Sequence, residues 1–368
     1  MPVDDLDIAK RFSSEIFSDT YFEAREKFLS AAPHATAYPC SAKGSKGEDL
    51  FTDVAYFGSA DARQLLVLVS GTHGAEGYCG SAAQLAFLKA GLHESLPPSS
   101  AVLMVHALNC YGFAWDRNMT AEGIDLNRNF VDFARDVPQN PGYEELGNHL
   151  VPEDISDEGL RPAEAAIAAY RAQHGDRKFM EARMSGQYTC PGGMFYGGAG
   201  PSEARRVLEK IGADYDVARR EQVVIIDYHT GLGPYGYGEL QAEQPSGLDG
   251  YERARKIFGP SVTSPDLGSS SSVVVNGCQA EYWERILGDK HIYVACEFGT
   301  FSTDNARKAL RGDIWLFLHH PEEINTEIGQ SLRAKIKQHF YPQAPDWKEM
   351  IFWRSHQVHR QVMDTFGQ

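Results

Sequence analysis

The chain has 368 residues, 42% of them hydrophobic and 11% aromatic, with a formal net charge of −15. Such a composition supports a packed core and excludes a disordered chain. The acidity argues against nucleic acid as a partner, because phosphate binding needs clustered Lys and Arg. No apolar run reaches the roughly 18 residues of a membrane span.

Residues 1–35 read as an amphipathic helical extension, with Leu6, Ile8, Phe12, Ile16 and Phe17 near helical spacing. Its acidic start lacks the apolar stretch of a signal peptide. Cys40, Cys79, Cys110, Cys190, Cys278 and Cys296 form no CxxC pair. They read as free thiols of a reducing compartment, so a cytoplasmic location is expected.

Continuous apolar runs at 64–70, 101–108, 223–228 and 291–296 read as strands buried on both faces. Helical patterns cover 79–90, 161–173, 202–212, 249–258, 304–318 and 322–340. The segments 134–160, 186–200 and 260–277 read as long loops, rich in Pro, Gly, Ser and Asn. Alternation of strands and helices predicts an α/β sandwich with helices on both faces of a sheet. With no repeat and no clear linker, 1–368 reads as a single domain with C-terminal helices from about 322 to 368.

Chemistry-bearing residues follow the apolar runs. After the first comes Ser70-Gly71-Thr72-His73-Gly74-Ala75-Glu76-Gly77. A His and a Glu three apart can share an ion if the glycines let the backbone turn. Taken alone, the pair fits a capped helix turn as well as a metal site. The third run ends in Asp227-Tyr228-His229, a further ligand with a carboxylate two residues earlier that could orient its ring. The fourth runs into Glu297, placed to act as a base. Arg117, Asn127 and Arg128 follow the second run, and guanidinium groups suit carboxylate and oxyanion recognition. Each group would stand at the carboxyl end of a strand, where open α/β sheets bind ligands.

Other readings are weaker. Gly231-x-Gly233-x-x-Gly236 is a literal GxGxxG after a strand, but Pro234 and Pro245 interrupt the helix that a dinucleotide site requires. No GxSxG is present for a serine hydrolase. A non-catalytic metal- or ligand-binding protein of this fold stays open. His319-His320 reads as a helix end.

The set His73-x-x-Glu76, Asp125-x-Asn127-Arg128, His229 and Glu297 resembles the zinc carboxypeptidase (M14-like) superfamily. Gly71-Thr72-His73-Gly74-x-Glu76 and Asp125-Leu126-Asn127-Arg128-Asn129-Phe130 look most like its aspartoacylase and succinylglutamate desuccinylase relatives, and the whole chain resembles the DUF2817 branch. The resemblance implies a three-layer α/β/α sandwich with a mixed, largely parallel central sheet. It implies one Zn2+ held by His73, Glu76 and His229, with Glu297 activating water and Arg117 polarising the scissile carbonyl. Asn127 and Arg128 would grip the free carboxylate of a peptide or small-molecule substrate. The family's tyrosine has no aligned counterpart here. Tyr235, Tyr237 and Tyr282 lack a motif, so peptide and N-acyl amide cleavage both stay open.

Overall fold

In a computed structural model, which describes residues 15–244 and 248–367, the four apolar runs are neighbouring strands. They are β3 (Gln64–Val69), β4 (Ser100–His106), β5 (Gln222–Tyr235) and β8 (His291–Gly299). They lie in the order β4-β3-β5-β8, all parallel. Four further strands, absent from the sequence reading, complete one eight-stranded sheet. β1 (Thr36–Lys43) and β2 (Asp49–Gly58) form an antiparallel pair whose second strand runs antiparallel to β4. On the other side β6 (Glu239–Ala242) pairs antiparallel with β8, and β7 (Val262–Thr263) pairs parallel with β6. The mixed α/β architecture expected from the sequence is therefore present.

Strand alternation divides the core. Leu66, Leu68, Met104, Val224, Ile226 and Val294 face one side, against helices Gly77–Lys89 and Pro345–Phe366. Leu65, Val67, Val69, Val223, Ile225 and Tyr293 face the other, against helices Glu203–Asp214 and Gln279–Leu287. Side chains two apart share a face, so a continuous apolar run feeds both layers. A third apolar cluster gathers Tyr143, Leu146, Phe179, Met184, Leu310, Ile314 and Phe340 from helices Pro141–Leu150, Asp176–Met184, Thr303–Leu318 and Glu327–Phe340. It also takes in Ala75, which places it beside the strand ends that carry the candidate ligands.

Helix starts follow local chemistry. Ser156, Ser202, Ser302 and Thr326 each accept the N–H three residues on, the N-cap arrangement. The same rule corrects the loop expected at 134–160, which contains helix Pro141–Leu150. Asn140 caps it by accepting from Tyr143 N–H, and Pro141 fills the first turn, where its missing donor costs nothing. At the N-terminus Ile16 and Phe17 are buried, whereas Leu6, Ile8 and Phe12 lie outside the described residues. No helix among the described residues is long and apolar enough to cross a membrane. The six cysteines are all unpaired.

Candidate metal centre

β3 ends at Val69, and Gly71 then takes a left-handed φ of 72°. His73 follows, and Gly74–Glu76 form a short 3₁₀ turn ahead of helix Gly77–Lys89. Gly74 allows this turn to lie against the next strand's loop. A Cβ there would meet the Gly112 backbone at 2.1 Å, and Ala75 N–H donates to Arg117 C=O at 2.8 Å. Glycine is thus required by the close approach of two backbones.

Three side chains converge above the sheet. Ligand atoms of His73, Glu76 and His229 all lie within 4.8 Å of one another. Both imidazoles turn Nδ1 toward the Glu76 carboxylate: His73 to Oε1 and His229 to Oε2, each at 3.0 Å. Both turn Nε2 toward a second carboxylate, His73 to Asp125 and His229 to Asp227, again at 3.0 Å. Those outer acids are themselves fixed. Asp125 Oδ1 accepts Asn127 N–H at 2.9 Å, and Asp227 accepts from Thr72, Gln279 and Tyr293.

This arrangement poses a proton question whose answer decides what the site can hold. Ionised carboxylates only accept, so each Nε2 must carry a proton toward its Asp. In a neutral imidazole, Nδ1 is then a lone pair, and two such lone pairs point at an anionic carboxylate. The contacts are favourable only if both rings are doubly protonated or if a cation lies among them. Burial opposes the His73 imidazolium, yet Asp125 and Glu76 overcome it and raise its pKa to about 10. His229 is likewise raised, with Asp227 and Glu76 outweighing burial. Burial works against the Glu76 carboxylate, but His73 and His229 hold it down at about 2. The protein alone therefore needs two imidazolium rings with centroids 5.1 Å apart. A divalent cation among the two Nδ1 atoms and Glu76 removes that need, and imidazole nitrogen with carboxylate oxygen suits several such metals. The residues present fit a metal.

Glu297 stands beside the group. Its Cα is paired with that of His229 across β5 and β8, and its Oε1 accepts Leu232 N–H at 2.9 Å. It is buried. Desolvation, reinforced by the Glu76 carboxylate and opposed by His229, raises its pKa to about 8.

The group opens into a cavity of about 690 Å³ of non-atom space, part of it continuous with solvent. Asn127, Arg128 and Glu297 line it. Arg117 does not. The residue is 1% exposed, and its guanidinium is committed to Asp313, with Nε to Oδ1 at 2.5 Å, and lies over the Phe317 ring. His229 is not the last residue of its strand either. β5 continues to Tyr235 through Gly231, at φ 127°, and its pairing with β8 shifts register after Thr230. That irregularity accounts for the GxGxxG, and strand β6, not a helix, follows Gly236.

The sequence reading missed Arg183, Gln241 and Glu243 in the cavity wall. Gln241 sits on β6 opposite Ala295 of β8. A signal existed: Glu239, Gln241 and Glu243 alternate with Leu240 and Ala242, the period of a strand with one polar face.

The acids behind the histidines give a first test. Asp227→Asn keeps the hydrogen-bonding volume but no longer fixes the Nε2–H tautomer of His229. Affinity for a divalent cation, probed with zinc in competition with a chromogenic chelator, should fall about 10- to 100-fold. An unchanged affinity would show that Asp227 serves only the hydrogen bonds of Thr72 and Tyr293.

Residues 17–354 match the family described as "Protein of unknown function (DUF2817)". No curated protein matches the chain. Among solved structures, bovine thrombin-activatable fibrinolysis inhibitor in complex with tick carboxypeptidase inhibitor is 12% identical. The match covers 90% of this chain and 99% of that one, with a TM-score of 0.42. Carboxypeptidase A from Helicoverpa armigera is 13% identical over 91% of this chain and 80% of its own, with a TM-score of 0.41. An aspartoacylase family protein from Mesorhizobium loti is 14% identical over 72% and 61%, with a TM-score of 0.34.

Proposed function

The chain belongs to the DUF2817 family, and from the chemistry of its site we propose that it is a zinc-dependent hydrolase of amide bonds. One observation carries the reading: two buried imidazoles present Nδ1 to one carboxylate while a separate aspartate holds each Nε2. A His₂Glu set beside an open cavity is a ligand set of catalytic zinc, and structural zinc sites are closed. When bound, zinc supplies Lewis acidity that brings the pKa of a coordinated water to about 7.

The chain's own residues then divide the work. Glu297 takes the proton of the attacking water and returns it to the leaving nitrogen, a role that suits a carboxyl whose pKa is raised toward neutrality. Arg128 and Asn127 hold a substrate carboxylate. Arg128 can do so because its hydrogen bonds go to the carbonyls of Met184 and Asn127, and it makes no ion pair among the described residues. The substrate is either a peptide cut at its C-terminus or an N-acyl amino acid. The same reading takes 1–368 as one catalytic unit acting in the cytoplasm.

Metal analysis of the protein purified at neutral pH, paired with a panel of N-acyl amino acids and short peptides, tests this. The expected result is one zinc per chain and a hydrolysis that chelation abolishes and zinc restores. A protein that takes up no zinc from solution would sink the proposal.

A further inference from the structure

Two thiols that the metal chemistry leaves unused meet at the edge of the sheet. Cys40 lies on β1, the edge strand, opposite Leu50 of β2, and the register of that pair breaks directly after it. Cys110 opens helix Cys110–Ala114, in the loop that follows β4. Thr52 of β2 holds that loop against the strand pair, with its hydroxyl 3.0 Å from the Ala107 carbonyl oxygen and 3.2 Å from that of Leu108. Both thiols line one cavity of about 330 Å³ of non-atom space, and they hydrogen-bond to each other.

Their surroundings differ. Cys40 is half-buried, and its Sγ lies 3.6 Å from a Glu203 carboxylate oxygen. Cys110 is 3% exposed. The hydrogen bond from Cys110 holds the Cys40 thiol below its ordinary pKa, against burial and Glu203. The same bond, with burial, pushes Cys110 well up. Cys190, the other half-buried thiol, is raised by burial. An accessible, more acidic thiol beside a buried one suits an attacking and a resolving cysteine. Glu122 and Glu203 also line the cavity, which disfavours an anionic oxidant and admits a small neutral one. The helix that Cys110 opens touches the metal turn. Gly112 is the backbone against which Gly74 packs, and its carbonyl accepts Arg117 N–H at 2.7 Å. Arg117 and Asn118 in turn offer their carbonyls to Ala75 and Gly74 N–H.

We propose that Cys40 and Cys110 form a redox site: a small hydroperoxide oxidises Cys40, and Cys110 then closes a disulfide that fixes the loop behind the metal turn. The Cys40 sulfur takes one oxygen from the peroxide, the O–O bond breaks, and the other oxygen leaves as water. The Cys110 sulfur attacks that of Cys40, the S–S bond forms, and the hydroxyl on Cys40 leaves as water with the Cys110 proton. Two thiols lose two electrons and two protons, and hydrogen peroxide becomes two waters. Fixing Cys110 takes freedom from the loop of the metal-free protein, so less ordering remains when a cation binds.

Hydrogen peroxide treatment followed by digestion and mass mapping tests this. The wild-type protein should lose two hydrogens in a linked Cys40–Cys110 peptide pair, and dithiothreitol should restore both thiols. Cys110→Ala should stop at a sulfenic acid on Cys40 that dimedone labels, whereas Cys40→Ser should leave Cys110 unlabelled. Zinc, in competition with a chelator, should bind the oxidised wild type about threefold more tightly than the reduced, and peroxide should not change its binding to Cys40→Ser. Cys40 and Cys110 left reduced, a bridge between other cysteines, or Cys190 reacting before Cys40 overturns the proposal, and so do equal zinc affinities in the two states. Should Cys110→Ala not fold, the mapped bridge and Cys40→Ser still decide. Only the zinc readout rests on the metal reading above: a protein that closes the bridge but binds no zinc in either state fails that reading and keeps the redox site.

Discussion

Glu297→Gln is expected to retain its metal and to lose turnover by about 10³-fold, the scale of a general acid–base contribution. Glutamine keeps the volume and can still accept the Leu232 N–H that Oε1 now accepts. It cannot take a proton. Glu297 is also outside the group whose ligand atoms converge, so metal content should match wild type by elemental analysis. The pH dependence supplies a second readout. Activity needs the ionised carboxylate, so kcat/KM should rise with pH along an acid limb. In the metal-free protein burial and Glu76 set that pKa at about 8, and a nearby dication can only lower it. The limb therefore falls below about 8 in wild type and is missing from the variant's residual activity. Stability moves in the opposite sense. A carboxyl whose folded pKa exceeds its unfolded value contributes stability that is complete below the unfolded value and is lost as pH rises through about 8. At alkaline pH the metal-free variant should then melt above the metal-free wild type. A variant that turns over at the wild-type rate would falsify the assignment of the base.

His73, Glu76, His229 and Glu297 were legible because each follows an unbroken apolar run, and such runs form the parallel centre of the sheet. Parallel strands point the same way, so residues beyond their ends meet at one edge without any knowledge of register. What the sequence hid depends on contacts distant along the chain. β6 is four residues long, and its Glu239-Leu240-Gln241-Ala242 looks polar until β8 is known to lie beside it. Arg183 belongs to a helix, DRKFMEARM, whose composition resembles a solvated surface. Only the packing of Phe179, Ala182 and Met184 into the third cluster buries it. The direction of a long side chain is the least readable property of all, because it depends on which partner the fold delivers.

Arg117 shows this most sharply, and its substitution separates two roles. The structure pairs it with Asp313, 196 residues later, and both side chains are buried. Removing one member of a buried pair strands the other's charge, and Arg117→Met should cost about 3–5 kcal/mol in urea unfolding. The double variant Arg117→Met with Asp313→Leu leaves no stranded charge and should recover most of that loss. The metal site would feel the change through the backbone. Residues 117 and 118 offer their carbonyls to Ala75 and Gly74 N–H, at 2.8 and 3.2 Å, on the turn between His73 and Glu76. A loosened anchor therefore weakens metal binding, while activity per bound metal stays near wild type. If Arg117 instead polarised the substrate carbonyl, as the family resemblance implies, the effects would separate differently. Activity per bound metal would fall about 10²-fold or more, as when one oxyanion donor is removed, and the second substitution at Asp313 would restore none of it. Unfolding curves and kcat per zinc on the two single variants and the double variant distinguish these cases, and the buried ion pair favours the first.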